Sequence, residues 1–189
     1  MSAWAGPYLI AVALVVAAGV GKAIDPTMTV GALRGIGLRV PAVVVRALGA
    51  AEAVLGVAAV VTGNRWLALA IAVSYVGFTA FVLVALARRL PIGSCGCFGR
   101  VDTPPSWLHV AVNLGAVVTA LAVARADGAA VFHGFADQPV AGAPFVLLCL
   151  AGTYAAFTLL TVVPPLLRPA PSSAAGPAST GRASIGRAS

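Results

Sequence analysis

The chain has 189 residues, of which 60% are apolar and only 9% are charged, whereas soluble domains carry roughly one quarter charged residues. Together with a mean hydropathy of +1.01, this composition excludes an ordinary soluble domain and predicts an integral membrane protein, with the lipid bilayer as its surroundings. The formal charge of +7 does not indicate nucleic acid as a partner, because the basic residues form no patch interleaved with aromatic side chains.

Five segments are long and apolar enough to cross a bilayer, which takes about 20 mostly apolar residues. In chain order they are Ala3–Gly21, Val40–Thr62, Trp66–Leu86, Trp107–Ala124 and Pro144–Val163. Ser106 is the expected N-cap of the fourth segment. The first segment lacks the positively charged leading region and the cleavage site of a removed signal peptide, so we expect it to remain as a span. The predicted fold is an all-α integral membrane bundle of about five transmembrane helices, a four-helix core plus one, in a single domain over residues 1–167.

The composition changes after Arg168 to Pro, Ser, Ala and Gly with scattered arginines. Such a segment cannot bury enough apolar surface to offset the entropy lost on ordering. We therefore expect residues 168–189 to form a disordered cytoplasmic tail.

Basic residues are distributed unequally between the two ends of the predicted bundle. Only Arg65 and Arg125 lie at one end, and nine lie at the other: Lys22, Arg34, Arg39, Arg88, Arg89, Arg100, Arg168, Arg182 and Arg187. Cytoplasmic loops are enriched in Lys and Arg, so the N-terminus is predicted outside and the C-terminus in the cytoplasm. A composition rich in Ala and Arg with a single lysine is typical of a high-GC bacterium, which predicts the bacterial inner membrane.

Glu52 is expected near the middle of the second span, where an ionised carboxylate costs at least about 2.5 kcal/mol. It belongs to a stripe at alternating three- and four-residue spacing: Gly49, Glu52, Gly56, Ala59 and Gly63. Small residues at this spacing allow close helix packing, so Glu52 is predicted to face another helix. Two interpretations remain open. The carboxyl group either locks two helices by hydrogen bonds or accepts and donates a proton.

His109 and Asn113 are separated by four residues in the fourth span and so share one helix face. His109 is either an interfacial histidine without a task or a proton partner for a nearby thiol. For Asn113, a hydrogen bond between helices is the favoured interpretation, ahead of a contact with a ligand. We keep both residues as candidates for proton handling.

Residues 93–100, GSCGCFGR, place Cys95 and Cys97 on either side of one glycine. The glycine permits the tight backbone of a small disulfide ring. A strained, accessible disulfide is easily reduced, as an exchanging pair requires. Nearby Arg88, Arg89 and Arg100 favour the thiolate form. The pair predicts thiol–disulfide oxidoreductase chemistry.

Metal binding and a purely structural role are the competing interpretations of the two cysteines. Closed zinc sites take four ligands, and only Asp102 and His109 are close in sequence. We therefore expect no metal and no bound cofactor. Cys149, within an apolar run, is expected to be a buried and inert thiol.

Four landmarks resemble the MauE family of membrane proteins, named for methylamine utilisation and often grouped with DoxX-like redox-associated proteins. They are GKAIDP at Gly21–Pro26, GIGLRVP at Gly35–Pro41, EAVLG at Glu52–Gly56 and CGCFG at Cys95–Gly99. The resemblance covers roughly residues 8–125, and CGCFG is its most specific part. One position departs from the family, since Val112 precedes Asn113 where an Arg-Asn pair is usual.

The resemblance implies an accessory role in making an exported, disulfide-rich methylamine dehydrogenase subunit. It implies a thioredoxin-like protein partner and an exported client protein, and it does not imply that this chain oxidises methylamine. Two other hypotheses stay open. One is a non-catalytic membrane assembly factor, and the other is a small-solute transporter, for which the midplane Glu52 is the main support.

Overall fold

A computed structural model of the chain describes residues 3–88, 105–126 and 139–166. These ranges form helices and no strands: α1 (Ala5–Ile24), α2 (Thr27–Gly35), α3 (Ala42–Thr62), α4 (Arg65–Ala87), α5 (Trp107–Arg125) and α6 (Pro139–Leu166). All except α2 contain a stretch long and apolar enough to cross a membrane. The prediction of an all-α bundle with five membrane helices is confirmed, and the chain is a multi-pass membrane protein. The tail over residues 168–189 lies outside the described residues.

Helix α2 is an element that the sequence did not predict. It is nine residues long and connects α1 to α3. Asp25 begins the connection by accepting hydrogen bonds from the backbone N–H of Thr27 at 3.1 Å and from its hydroxyl at 2.5 Å. Pro26 stands at the N-cap position. A single buried residue, Ala32, attaches the helix to the rest of the bundle.

Helices α3 and α4 form a hairpin because a tight turn joins them. Gly63 ends α3 in the left-handed conformation with φ of 61°, which glycine adopts without steric cost. The next residue, Asn64, caps α4, since its side-chain oxygen accepts a hydrogen bond from the backbone N–H of Trp66 at 2.8 Å. The two helices therefore run antiparallel.

Helices α1 and α3 approach each other through glycines. A Cβ atom on Gly19 would lie 2.6 Å from the carbonyl oxygen of Gly49, and one on Gly49 would lie 2.6 Å from that of Gly19. Further along the same interface, Gly56 faces Val12 and Val16. Backbones this close require small residues on both sides. The predicted packing role of the small-residue stripe is confirmed.

The core lies among α1, α3, α4 and α5. Its largest buried side chains include Tyr8, Val12, Val15, Ile71, Tyr75 and Val123. The hydroxyl of Tyr75 donates to the carbonyl oxygen of Ala11 at 2.7 Å and so links α4 to α1. Helix α6 packs on the outside of this core, and Leu160 is its one buried residue among the described side chains. This arrangement is the predicted four-helix core plus one.

Successive membrane helices alternate in direction, which gives the bundle two distinct ends. We call the end where α4 stops and α5 starts the α4–α5 end. Helices α1 and α6 also end there and α3 begins there, whereas the α3–α4 turn lies at the opposite end. Arg34, Arg39 and Arg88 belong to the α4–α5 end, while Arg65 and Arg125 belong to the opposite end.

Candidate functional site

The structure places three of the five predicted site residues. Cys95 and Cys97 lie outside the described residues. The described chain stops at Arg88, directly after α4, and resumes at Pro105, directly before α5. Both points belong to the α4–α5 end. Glu52, His109 and Asn113 can be located relative to that end.

Glu52 forms an ion pair with Lys22 inside the bundle. Lys22 Nζ lies 2.5 Å from Glu52 Oε2, and the residues are only 3% and 5% exposed. These are the only lysine and the only glutamate of the chain. The expectation that Glu52 faces another helix is confirmed. Lys22 lies in the last turn of α1, at the α4–α5 end as predicted, but its charge is buried and paired, so it does not count among the loop residues that set the orientation.

The local geometry explains how Lys22 reaches Glu52 from the last turn of α1. Helical side chains lean toward the N-terminus of their helix, so the lysine stem runs back into the bilayer. It passes over Gly49, where an added Cβ would lie 2.7 Å from Lys22 Cβ. Glu52 is ten residues into α3, about 15 Å from the helix start. Opposite charges thus meet inside the bundle near the middle of the α3 span, where each alone would be costly.

Phe78 of α4 completes the surroundings of the lysine. Lys22 Nζ lies 4.6 Å from the centroid of the Phe78 ring, a distance at which the ring face attracts a cation. Phe78 also packs edge-on against Tyr75, with 5.6 Å between ring centroids. The ion pair therefore connects α1 and α3 directly and contacts α4 through an aromatic ring.

Sequence reasoning found Glu52 but missed its partner. Arg46, on the same helix, is exposed and does not contact the carboxylate. The usable signal was the single lysine inside an apolar segment, two residues before the end of α1. A lone carboxylate in one span and a lone ammonium in a neighbouring span are expected to pair, because the bilayer contains no other counter-charge for either group.

His109 is buried at the start of α5, with 3% of its surface exposed. Its Nδ1 lies 2.8 Å from the hydroxyl oxygen of Ser106, and Nε2 has no hydrogen-bond partner among the residues that the structure describes. Ser106 occupies the predicted N-cap position, but its hydroxyl bonds this ring and makes no capping bond to the backbone. A buried ring with one unsatisfied nitrogen does not fit an exposed interfacial histidine.

A small cavity lies beside the His109 ring. Its lining consists of Leu14, Ala18, Tyr75, Phe78, His109, Val112, Asn113 and Leu160, and its volume is about 20 Å³. A space of this size can hold one water molecule. Asn113 is half-buried here and makes no side-chain hydrogen bond to any described residue, so the favoured helix-to-helix bond is not formed within the described chain.

The structure thus brings His109 and Asn113 to one cavity and keeps Glu52 apart from them. Phe78 touches both regions, because its ring lies against Lys22 Nζ and also lines the cavity. Glu52 has its own partner in Lys22. The candidate site consists of a satisfied ion pair and, across Phe78, a histidine with one ring nitrogen that bonds no described residue.

Cys149 differs from its expected state. It is half-buried and lines an apolar groove of about 690 Å³ among α1, α3 and α6. The cysteine belongs to the peripheral helix, and the groove faces outward from the core. The prediction of a buried thiol is therefore wrong.

Comparison with known families gives a match over residues 1–126 to the model described as methylamine utilisation protein MauE. The chain belongs to the MauE family. It is thus a membrane protein associated with methylamine utilisation. Comparisons with curated proteins and with solved structures gave no significant match. The MauE match ends one residue after α5, so it includes Lys22, Glu52 and His109 and excludes the peripheral α6.

Proposed function

We propose that this chain is a membrane thiol–disulfide redox protein that assists disulfide formation in exported proteins, with Cys95 and Cys97 as the exchanging pair. The observation that carries the proposal is the state of His109. It is the third residue of the helix that follows the cysteine segment, it is buried, and its Nε2 has no hydrogen-bond partner within the described part of the chain. Burying an unsatisfied polar atom is unfavourable, which suggests a task for it.

The proposed reaction transfers a disulfide to a thioredoxin-like partner in two thiol–disulfide exchange steps. A partner thiolate attacks the Cys95–Cys97 disulfide, the bond between the two cysteines breaks, and a mixed disulfide forms. The second partner thiolate then attacks the mixed disulfide. The partner leaves with a disulfide, Cys95 and Cys97 become thiols, and two electrons have passed to this chain. The oxidised partner can in turn oxidise thiols of an exported client.

Protons must move in each exchange step, since the attacking thiol loses one and the departing thiolate gains one. His109 is the proposed proton group, and Asn113, on the same cavity, would help to hold a water molecule against it. Glu52 is a weaker candidate for this task than the sequence indicated, because its carboxylate is paired with Lys22.

The proposed location is the bacterial inner membrane, with the N-terminus outside and the C-terminus in the cytoplasm. Without Lys22, the sequence assigns eight basic residues to the side of the cysteine segment and two to the other side. This bias supports a cytoplasmic position for the cysteine segment. Thiols there would exchange with a partner at the membrane surface, and that partner would relay electrons across the membrane between them and the exported client.

Thiol trapping in membranes tests the exchanging pair. We expect mass spectrometry of acid-quenched membranes to find a Cys95–Cys97 disulfide that disappears on reduction and forms again on oxidation. A thiol reagent that cannot cross the membrane should leave both cysteines unlabelled in intact cells and label them in inverted vesicles after reduction. Cys149, half-buried among α1, α3 and α6, is the internal control for thiol labelling.

Two results would contradict this expectation. If both thiols stay free under every redox condition, or if a metal is bound in stoichiometric amount, the exchange chemistry is wrong. Labelling from outside in intact cells would contradict the proposed orientation but not the exchange chemistry. The C95S variant keeps only one thiol of the pair and cannot form the disulfide. The signal that is missing from this variant therefore identifies the disulfide.

Replacing His109 by Gln is expected to slow exchange with a thioredoxin-like partner by about 100-fold or more, as for loss of a general acid or base. Rapid-quench trapping of the mixed disulfide measures the rate. Ser106→Ala removes only the contact to Nδ1 and should have a much smaller effect. Exchange at the wild-type rate in the glutamine variant would exclude His109 as the proton group.

A non-catalytic assembly factor is the second candidate, and the Lys22–Glu52 pair is the observation that favours it. A buried ion pair joining two helices suits a structural scaffold that presents a fixed surface to a partner. The C95S/C97S double variant separates the two candidates. A redox protein loses client maturation in this variant, whereas an assembly factor keeps it.

A further inference from the structure

We infer that the α4–α5 end carries a binding site for the phosphate headgroup of an anionic phospholipid, with Arg34 and Arg39 as its two ligands. A cavity of about 420 Å³ lies between the end of α2 and the start of α3 and is lined by Arg34, Arg39, Val40 and Pro41. This site is separate from the ion pair and from the His109 cavity. It also does not depend on the proposed redox function.

A hydrogen-bonded turn holds the two arginines around this cavity. The N–H of Leu38 donates to the carbonyl of Leu33 at 2.9 Å, and that of Gly37 donates to Arg34 at 3.0 Å. With Gly37 at φ of 94°, this is the Schellman motif that closes a helix C-terminus. The chain folds back after α2, so Arg39 returns to the side of Arg34. Pro41 then precedes α3 and fixes the exit from the turn.

The charge of this site is not neutralised within the described residues. Both guanidinium groups are exposed, and neither pairs with a carboxylate there. Asp25, at the other end of α2, accepts two hydrogen bonds from Thr27. A third guanidinium is fixed on the same segment, because Arg88 Nη1 donates to the carbonyl of Ile36 at 3.1 Å. The site therefore attracts an anion, and the planar fork of arginine suits phosphate.

Apolar surface beside the arginines indicates a lipid as the source of the phosphate. Leu38, Val43 and Val44 are 51%, 70% and 50% exposed next to the cavity. In a membrane protein such side chains contact acyl chains, and arginines at the ends of membrane helices lie at the headgroup level. One phospholipid can contact the arginines with its headgroup and the apolar side chains with its acyl chains, whereas free phosphate contacts only the arginines.

Native mass spectrometry of the full-length purified chain titrated with phosphatidylglycerol tests the site. We expect one tightly bound phosphatidylglycerol molecule in the wild type and an affinity about 30-fold lower in R34Q/R39Q. The expected loss is about fivefold for each arginine removed near the membrane surface. The control R65Q/R125Q removes the same charge from the opposite end and should change this affinity by less than about twofold. Phosphatidylglycerol should raise the thermal midpoint of the wild type and of the control, but not that of R34Q/R39Q.

Three outcomes overturn the inference. Equal losses in R34Q/R39Q and R65Q/R125Q would mean general charge attraction without a site. Equally tight binding of phosphatidylcholine would remove the requirement for an anionic headgroup. Displacement of the lipid by inorganic phosphate at a similar concentration would identify a site for small anions that does not use the apolar surface.

Discussion

Replacing Lys22 by Met or Glu52 by Gln is expected to destabilise the bundle by about 3–5 kcal/mol in each case, because each change leaves a charge buried without its partner. Both side chains are almost fully buried, and the Nζ–Oε2 distance is 2.5 Å. The K22M/E52Q double variant removes both charges and should be much closer to the wild type. The free energy of unfolding in detergent or bicelles measures all three.

The double variant makes this expectation specific, since the coupling between two contacting residues appears as non-additivity. If the two single losses simply add in K22M/E52Q, the residues do not act as a pair. Arg46→Gln is the matched control on α3, because Arg46 is exposed, and it should change stability by less than about 0.5 kcal/mol.

The same variants separate the two interpretations of Glu52. If K22M/E52Q is folded and exchanges thiols at the wild-type rate, the pair locks α1 to α3 and takes no part in the chemistry. If the double variant is stable but slow, the carboxylate moves protons in spite of its partner. Stability and exchange rate are independent measurements, so one result does not decide the other.

The membrane helices were predictable because each depends on its own composition alone. About 20 apolar residues in a row give the same signal wherever the span later packs. The stripe containing Gly49 and Gly56 also predicted which face of α3 is buried, since small residues in membrane helices mark contact surfaces. Helix α2 gave no such signal, because it is nine residues long and too short for a span.

Contacts between spans were harder to predict, and Lys22 shows why. At the end of a span, a lysine can extend to the water or turn back into the bundle, and composition does not distinguish the two. The choice is made by Gly49 on the neighbouring helix, which leaves space for the lysine stem. His109 is similar. Its position near a helix start suggests exposure, but the packing of α1, α4 and α6 around its cavity buries it.

The boundary of the family match has a physical counterpart in the fold. Helices α1, α3, α4 and α5 bury each other and contain the ion pair and the histidine, all within residues 1–126. Helix α6 contributes a mainly exposed surface and follows this unit. Removing α6 would therefore expose little of the core apart from the side of α1 that it covers.

Gly49→Ala and Gly19→Ala are each expected to destabilise the bundle by about 3 kcal/mol, at the upper end of the usual cost of overpacking. The added methyl would lie 2.6 Å from a backbone carbonyl oxygen of the facing helix, and a backbone cannot move aside as a flexible side chain can. Helices α1 and α3 would have to separate. The separation would also lengthen the Lys22–Glu52 contact, which these helices hold in place.

Gly77→Ala and Gly115→Ala are the matched controls, because a Cβ at either position would meet no described residue within 4 Å beyond its chain neighbours and the backbone of its own helix. Alanine favours a helix over glycine by up to about 1 kcal/mol, so these variants should be neutral or slightly more stable. The comparison uses the same chemical change in helices of one bundle. If all four variants lose the same stability, the cost reflects glycine replacement in general, and the close approach of α1 and α3 does not determine how this protein packs.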